Sequence, residues 1–294
     1  MLFAESAQKL QPSYIREILE AATSPDIISL AGGLPAEESF PLDLLAPGME
    51  ALLTTPGLFQ YGATRGYEPL LDLLRGNLSM DDNHDLMVCN GSQQALDLVA
   101  RTFLDPGDCV VMEEPAYLGA LQVFQLAGTD IRTVAQTPQG PDPDDLAVLF
   151  ASRPVKLFYA VPDFHNPTGI CWSDPVRSAV AELCRAHGVT LLEDSPYREL
   201  RFAGNALPRV SERCPESAIL LQSFSKTVAP GIRLGIAAGP RQWIDRMVLV
   251  KQAADLHTAV PTQVILQNVL CHTGFASHLE GICKLYGRRY SALS

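Results

Sequence analysis

The feature that most constrains the fold is a regular alternation of short apolar runs with helical segments, from about residue 86 to about residue 239. The runs are apolar at nearly every position, which is typical of strands buried on both faces. Because helical segments separate them, we predict a mainly parallel, mixed sheet flanked by helices and hence an α/β fold. The predicted strands are 86–90, 109–113, 130–134, 155–161, 189–193, 218–222 and 234–239.

Residues at two predicted helix ends follow known preferences. Ser92 stands where a helix over about 91–104 begins, and Asp174, followed by Pro175, stands at the start of another. Serine and aspartate are preferred N-caps, proline is preferred at the first helical position, and glycine is preferred just beyond the last one. We therefore predict Ser92 and Asp174 as N-caps, and Gly188 as the residue that ends the second helix.

The chain divides into three predicted parts. Residues 1–60 are expected to form a helix from Pro12 to Ala21, then an irregular arm rich in Gly and Pro. Residues 61–275 contain the alternating segments and are expected to form one large domain. Residues 276–294 end a stretch that is predicted to be helical from residue 240 onwards.

Charge and cysteine content restrict the partners. A formal net charge of −11 argues against a nucleic-acid groove or an anionic membrane surface. No transmembrane stretch or secretory signal is evident. Seven cysteines without a C-x-x-C pair fit reduced thiols, so we expect a cytoplasmic location. Cys184 and His187 alone are too few ligands for zinc, so we expect no metal.

Polar residues cluster just after the predicted strands. Ligands of open parallel sheets bind at the carboxyl ends of the strands, so these positions are the ones to inspect. The residues concerned are Gly91, Ser92, Gln93, Pro115, Ala116, Tyr117, Asn166, Pro167, Asp194, Tyr197, Ser223, Phe224, Ser225 and Lys226.

Lys226 is the first candidate for chemistry. An arbitrary lysine in a loop is usually solvated, but a partly desolvated amine near another cation can become a Schiff-base nucleophile. Ser223, Ser225 and Arg233 surround it in sequence and suit a phosphate dianion. Ser92 and Gln93 lie at a helix start, where backbone N–H groups also favour phosphate; simple capping is an equally good interpretation.

Asp194 is the second candidate, because it ends a buried strand at the ligand-facing edge. A buried carboxylate is costly without a positive partner, and a protonated pyridine nitrogen would supply one. Tyr197 and Asn166 could reach the phenolic oxygen of such a ring, and Tyr117 could stack on it. Taken singly, both tyrosines are more often ordinary core or rim aromatics.

Four segments in order resemble the fold-type-I, class I/II aminotransferases, which use pyridoxal 5'-phosphate (PLP). They are G-S-Q-Q-A-L-D (91–97), N-P-T-G (166–169), E-D-S-P-Y (193–197) and S-F-S-K-x-x-x-P-G-x-R (223–233). Similarity to the branch that holds 2-aminoadipate and kynurenine aminotransferases is carried by 15–19, 28–41, 61–70 and 254–258.

The resemblance implies a role for each matching residue. Lys226 would form the internal aldimine and move the proton between Cα and C4'. Asp194 would pair with the pyridinium nitrogen, Asn166 and Tyr197 would hold the ring oxygen, and Tyr117 would stack on the ring. The phosphate would be bound by Ser92, Gln93, Ser223, Ser225 and Arg233, and, from the neighbouring subunit of a homodimer, by Tyr61.

The same resemblance suggests the substrates, an L-amino acid and a 2-oxo acid. Gly32 and Gly33 would line the substrate pocket together with Asn166. Arg16 matches an arginine that can meet an acidic side chain, although a solvent-facing arginine is the plainer interpretation. The candidate donors are 2-aminoadipate, glutamate, and aromatic or branched-chain amino acids.

Two alternatives remain at this level: a non-catalytic PLP-sensing domain of a regulator, and another PLP activity such as a lyase or decarboxylase. Serine hydrolases and P-loop enzymes are disfavoured, because G-x-S-x-G and G-K-[ST] are missing. The resemblance stops inside 278–294, so we expect residues 276–294 to be the start of a helix that leads into a small domain beyond this chain. That domain would have roughly 100 residues and carry the α-carboxylate arginine. On that expectation this chain alone would be a poor catalyst.

Overall fold

The structure is a computed structural model that describes residues 2–4, 8 and 33–293. The helix predicted from Pro12 to Ala21 lies outside these residues, as do Arg16 and Gly32. Eight strands form one mixed sheet in the order β1-β8-β7-β6-β5-β2-β3-β4. They are β1 His84–Cys89, β2 Cys109–Glu114, β3 Asp130–Thr137, β4 Gly140–Pro141, β5 Val155–Ala160, β6 Thr190–Asp194, β7 Ala218–Ser223 and β8 Gly235–Pro240.

The strand directions confirm the predicted mixed α/β sheet. The four pairs β2–β3, β2–β5, β5–β6 and β6–β7 are parallel. Strand β8 runs antiparallel to both β7 and β1. Residues 224–234 join β7 to β8 without an α-helix, and a parallel partner would need a longer crossover. As a result, β1, β2, β3, β5, β6 and β7 all end at one edge of the sheet.

Helices cover both faces of the sheet. Helices α3, α4 and α7 pack on one face around Met112 and Leu157, while α5 and α6 pack on the other around Phe158. Helices α2 and α8 cover the antiparallel end, against Val88 and Ile236. The helices are α1 Leu42–Thr54, α2 Glu68–Asn77, α3 Ser92–Phe103, α4 Leu118–Leu126, α5 Pro143–Ser152, α6 Asp174–His187, α7 Arg241–Asp255, α8 Val260–Cys271 and α9 Phe275–Leu293.

Three local predictions were wrong. The arm is not irregular throughout, since α1 lies within it and packs on α8. Ser92 is the first residue of α3 rather than its cap, because Gly91 with φ of 77° occupies the capping position. Asp174 is likewise the first residue of α6, so the N-cap is Ser173. The Asp174 side chain forms an ion pair with Arg213 instead of capping the helix.

Other predictions agree with the structure or were incomplete. Gly188 ends α6 in the left-handed conformation, as predicted. The stretch after residue 240 is helical but has two breaks, between α7 and α8 and between α8 and α9. Helix α5 and the two-residue strand β4 were not predicted. In the part of the chain that the structure describes, no helix has both the length and the apolar character needed to cross a bilayer.

Candidate active site at the carboxyl edge of the sheet

A cavity of about 230 Å³ lies at the edge where six strands end. The structure brings ten predicted site residues together around it, although they span residues 92–233. A second cavity, of about 240 Å³, lies at the opposite edge beside His84 and Gly239, and its lining includes no lysine. The first cavity is lined by Ser92, Gln93, Tyr117, Tyr159, Val161, Asn166, Asp194, Pro196, Tyr197, Ser223, Ser225, Lys226, Pro230 and Arg233.

Lys226 lies in the turn directly after β7 and is partly buried. Its Nζ donates to the carbonyl oxygen of Gly33 at 3.1 Å and lies 5.9 Å from the centre of the Tyr197 ring. Burial lowers the pKa of Lys226, because the charged ammonium loses hydration. A larger fraction of the side chain is therefore the neutral amine, which is the nucleophilic form. The same contact places Gly33, which was predicted to line the substrate pocket, beside the Lys226 amine.

Asp194, the last residue of β6, is a buried carboxylate whose charge no described cation balances. Burial raises its pKa to about 7, even though Tyr159 donates a hydrogen bond to Oδ2 at 2.9 Å. Among the described residues, Oδ1 has no hydrogen-bond partner. Leaving such an oxygen unpaired is costly, so the site fits a ligand that brings a hydrogen-bond donor or a positive charge to it.

Asn166 and Tyr197 meet on the side of the cavity near Asp194. The Nδ2 group of Asn166 donates to the Tyr197 hydroxyl at 3.2 Å. Burial raises the pKa of Tyr197 to about 12, so its phenol is protonated at neutral pH. One amide and one phenol therefore present hydrogen-bond donors at the same place, as an anionic oxygen of a ligand requires.

A salt-bridge cluster holds the two segments that carry Asn166 and Tyr197. Asp163 is fully buried and accepts from Arg177 at 2.8 Å and from Arg198 at 2.9 Å. Although burial alone would raise the pKa of Asp163, these guanidinium groups lower it. Arg198 directly follows Tyr197, and Asp163 precedes Asn166 by three residues, so the ion pair links the two segments. The sequence interpretation missed this cluster, since separations of 14 to 38 residues give no local signal.

The opposite end of the cavity is a cradle for an anion. Ser92 and Gln93 begin α3, and the backbone N–H of Ser225 donates to Ser223 Oγ at 3.2 Å. Arg233 adopts the left-handed conformation with φ of 52°, and its Nη2 donates to the Asn90 carbonyl oxygen at 3.4 Å. No described carboxylate forms an ion pair with Arg233, so its positive charge is available to a ligand. Hydroxyls, N–H groups and a guanidinium are the groups that bind phosphate.

Two glycines keep this cradle open. A Cβ on Gly91 would stand 2.8 Å from Arg233 Nη2, and a Cβ on Gly235 would stand 2.9 Å from the backbone N of Ser92. Real Cβ atoms do not approach other atoms so closely. A larger residue at either position would therefore displace Arg233 or the Ser92 backbone, which are groups suited to binding phosphate.

Tyr117 forms part of the cavity wall at the start of α4. Its ring lies against Gly119, where an added Cβ would come within 2.7 Å of the ring. Burial raises the pKa of Tyr117. Gln93 Nε2 donates to the Gly119 carbonyl oxygen at 3.0 Å, which ties α3 to the Tyr117 segment.

Tyr61 lies outside this cavity. Its side chain is 79% exposed and makes an edge-to-face contact with His257 at 5.9 Å. Its predicted role concerns a neighbouring subunit, so it stays a prediction, as does the role of Arg16.

The sequence interpretation missed Tyr159 as a site residue, together with Val161, Pro196 and Pro230. Tyr159 belongs to an apolar run that predicts a buried strand, and its hydroxyl is visible as a site group only through its contact with Asp194. No local pattern in the sequence could have found it. The described residues contain no group of three or more His, Cys, Asp or Glu that could hold a metal ion.

Fold and cavity define the class of protein, an α/β protein with a mixed sheet that has a lysine and an anion cradle at one sheet edge. Residues 26–291 match the family described as aminotransferase class I and II. A 2-aminoadipate transaminase from Thermus thermophilus is 36% identical over 297 residues, which cover 99% of this chain and 74% of that protein. This chain therefore belongs to the class I and II aminotransferases, enzymes that transfer an amino group.

Two solved structures are similar over nearly the whole chain. Kynurenine aminotransferase from Pyrococcus horikoshii, in complex with PMP, KYN as substrates and KYA as products, has a TM-score of 0.93 and 33% identity, covering 99% of this chain and 75% of that one. The alpha-aminoadipate aminotransferase from Thermus thermophilus, complexed with N-(5'-phosphopyridoxyl)-L-leucine, has a TM-score of 0.91 and 35% identity, covering 99% and 74%.

Proposed function

We propose that the cavity binds PLP, with Lys226 as the covalent attachment point, and that the protein uses it to move an amino group from an L-amino acid to a 2-oxo acid. The observation that carries the proposal is Asp194 Oδ1, a buried oxygen without a described partner in a cavity that also contains a lysine. A protonated pyridine nitrogen is a donor and a cation, and it would satisfy this oxygen.

The rest of the cavity fits the cofactor's other groups. Asn166 and Tyr197 would hold the phenolic oxygen, and Tyr117 would cover the ring. The phosphate would be bound at the cradle formed by Ser92, Gln93, Ser223, Ser225 and Arg233. When bound, PLP supplies an electron sink that makes the Cα–H bond of an amino acid acidic.

The chain's own residues supply the proton transfers and the electrostatics. Lys226 Nζ is the base that takes the proton from the substrate's Cα, and its lowered pKa favours the neutral form needed for this step. Asp194, once paired, holds a proton on the ring nitrogen. Tyr159 keeps the Asp194 carboxylate oriented through the 2.9 Å hydrogen bond.

The donor is proposed from similarity. The relatives described above are named for 2-aminoadipate and for kynurenine, so acidic and aromatic amino acids are the first donors to test, with glutamate and branched-chain amino acids next. Gly33 lies beside the Lys226 amine and would line the substrate pocket with Asn166. Arg16 would meet an acidic side chain.

We also propose a homodimer in the cytoplasm that binds neither nucleic acid nor membrane. Exposed apolar side chains are frequent in 34–61, where Leu53 is 85% exposed and Phe59 is 65% exposed, as expected of a surface that a second copy covers. Tyr61 would then reach the partner's phosphate site. All seven cysteines are free thiols, which fits a reducing compartment.

Borohydride reduction in the presence of PLP, followed by peptide mapping, tests the attachment point. We expect the label on Lys226 in the purified protein, and loss of this label in Lys226→Ala. Lys156→Ala is the matched control, because Lys156 is an exposed lysine paired with Asp108 at the amino end of β5, opposite the end where the cavity lies. A stoichiometric label that persists in Lys226→Ala would refute the assignment. A half-reaction screen over amino acids would then identify the donor.

A further inference from the structure

The C-terminal end of α7 contains an ion pair, formed by a buried lysine and a partly exposed aspartate, that lies behind the proposed phosphate cradle. Lys251 is fully buried, and its Nζ donates to Asp255 Oδ1 at 2.9 Å and to Oδ2 at 2.8 Å. Neither residue lines the cavity. Burying a charged lysine is costly unless its N–H groups are all hydrogen-bonded. The contacts of Lys251 are therefore part of what holds this region of the structure.

The pair is joined to the cradle by two amide side chains. Asp255 Oδ2 also accepts from Asn90 Nδ2 at 2.7 Å and from Gln94 Nε2 at 2.6 Å. Gln94 Oε1 in turn accepts from Lys251 Nζ at 2.8 Å and from the backbone N–H of Asn90 at 2.8 Å. The four side chains therefore form a closed hydrogen-bond network.

This network holds the chain at the point where the cradle begins. Asn90 directly precedes Gly91 and Ser92, and its carbonyl oxygen accepts from Arg233 Nη2 at 3.4 Å. Gln94 lies in the first turn of α3, next to Gln93. Asn90 therefore adjoins the first residues of α3 and also contacts the Arg233 guanidinium. Its backbone N–H is bonded to Gln94 and its side chain to Asp255, which in turn binds Lys251.

We propose that Lys251 and Asp255 are positioning residues for the cofactor's phosphate group, acting through Asn90 and Gln94 on the cradle. The inference rests on the proposed PLP site and adds residues of helix α7 that have no role in it so far. A hydrogen-bond network around a fully buried and fully paired lysine fixes geometry more than it adds stability, so the expected effect is on phosphate recognition.

The test compares PLP with pyridoxal, which lacks the phosphate, in binding titrations of the cofactor-free protein. In Lys251→Met we expect PLP affinity to fall about tenfold or more, comparable to the loss of a supporting contact behind a ligand site. Pyridoxal affinity should stay within about twofold, since the ring end is untouched. Protection of the protein against thermal unfolding by inorganic phosphate should fall in parallel.

Arg198→Met is the matched control, because it removes a buried ion pair at the ring-oxygen end of the same cavity. It should weaken PLP and pyridoxal together and leave their affinity ratio unchanged. If Lys251→Met does not fold because the Asp255 carboxylate loses its cationic partner, the double variant Lys251→Met with Asp255→Leu removes both charges and decides the question.

The outcomes separate this inference from the proposed function. A purified protein that binds PLP no better than pyridoxal would overturn the phosphate cradle itself. A protein that prefers PLP, with the same preference in Lys251→Met or in the double variant, would overturn the role of Lys251 and Asp255 alone. An equal loss of both affinities would also overturn it, because that pattern indicates a general structural effect.

Discussion

Replacing Asp194 by asparagine should stabilise the cofactor-free protein at neutral and alkaline pH. In the unfolded chain Asp194 has an ordinary pKa, whereas burial raises its pKa to about 7 in the folded protein. A group with a raised folded pKa contributes stability that is present below the unfolded pKa and is lost as pH rises through the folded pKa. Asparagine does not titrate, so Asp194→Asn escapes this loss.

The magnitude follows from the pKa difference. The rise from 3.8 to about 7 is about three pKa units, and at about 1.4 kcal/mol per unit it amounts to about 4 kcal/mol. The loss takes place between the unfolded pKa of 3.8 and the folded pKa of about 7. About half of it, roughly 2 kcal/mol, therefore falls between about pH 5.5 and about pH 8, and the other half falls below about pH 5.5. The variant should therefore gain about 2 kcal/mol relative to the wild type over this range.

Urea unfolding of both cofactor-free proteins at the two pH values measures this difference. Asp163→Asn is the control with the opposite sign: the pKa of Asp163 is lowered, so its stabilisation is present above the unfolded pKa and is lost only in acid. That variant should be less stable than the wild type by the same amount at both pH values. A stability difference for Asp194→Asn that does not change with pH would refute an uncompensated carboxylate at this site.

Three further predictions concern the proposed cofactor site and the choice of donor. Tyr159→Phe removes the only hydrogen bond that a described side chain donates to the Asp194 carboxylate, so PLP affinity near neutral pH should fall by about tenfold in a fluorescence titration, and unchanged affinity would count against this role. Gly91→Ala should cost about 1–3 kcal/mol in urea unfolding, because its φ of 77° and ψ of 168° are a combination that only glycine adopts readily. It should also weaken PLP binding, since the new Cβ would displace Arg233, and normal binding would contradict the crowding. Arg16→Ala should raise KM for 2-aminoadipate or glutamate more than for leucine or aromatic donors, and equal effects would argue against it.

Much of the sheet could be predicted from sequence because its strands are buried on both faces. Apolar runs such as 155–161 and 218–222 are too short for a buried helix, and the structure contains strands at both. The direction of β8 was harder. Its apolar pattern is the same in either direction, and only the short, helix-free connection from β7 determines that it runs antiparallel.

The cavity was predictable for a different reason. Strand ends at one edge converge, so residues such as Lys226, Asp194 and Ser92 are brought together by the topology alone. Contacts between side chains that do not lie at strand ends cannot be located by this rule. Tyr159 is hidden in an apolar strand, and Lys251 lies in a helix with no local sign that its amine faces Gln94 and Asp255.

The buried aspartates of the described chain give the clearest physical reason to place a ligand's positive charge at Asp194. Asp85 accepts hydrogen bonds from Arg65, Arg75 and Arg241. Asp163 likewise accepts from three arginines. In spite of burial, the pKa of Asp85 is lowered by the backbone N–H of Leu86 together with its arginines, and the pKa of Asp163 is lowered by its arginines.

Asp194 is equally buried but is paired with no described cation, and its pKa is raised to about 7. A fold that surrounds two buried aspartates with three guanidinium groups each, and leaves the third facing a cavity, is incomplete at that position without a ligand. Because a cation there would lower the pKa of Asp194 and recover part of the lost stability, binding of the cofactor ring and the stabilisation that it gives the fold should rise together as Asp194 ionises.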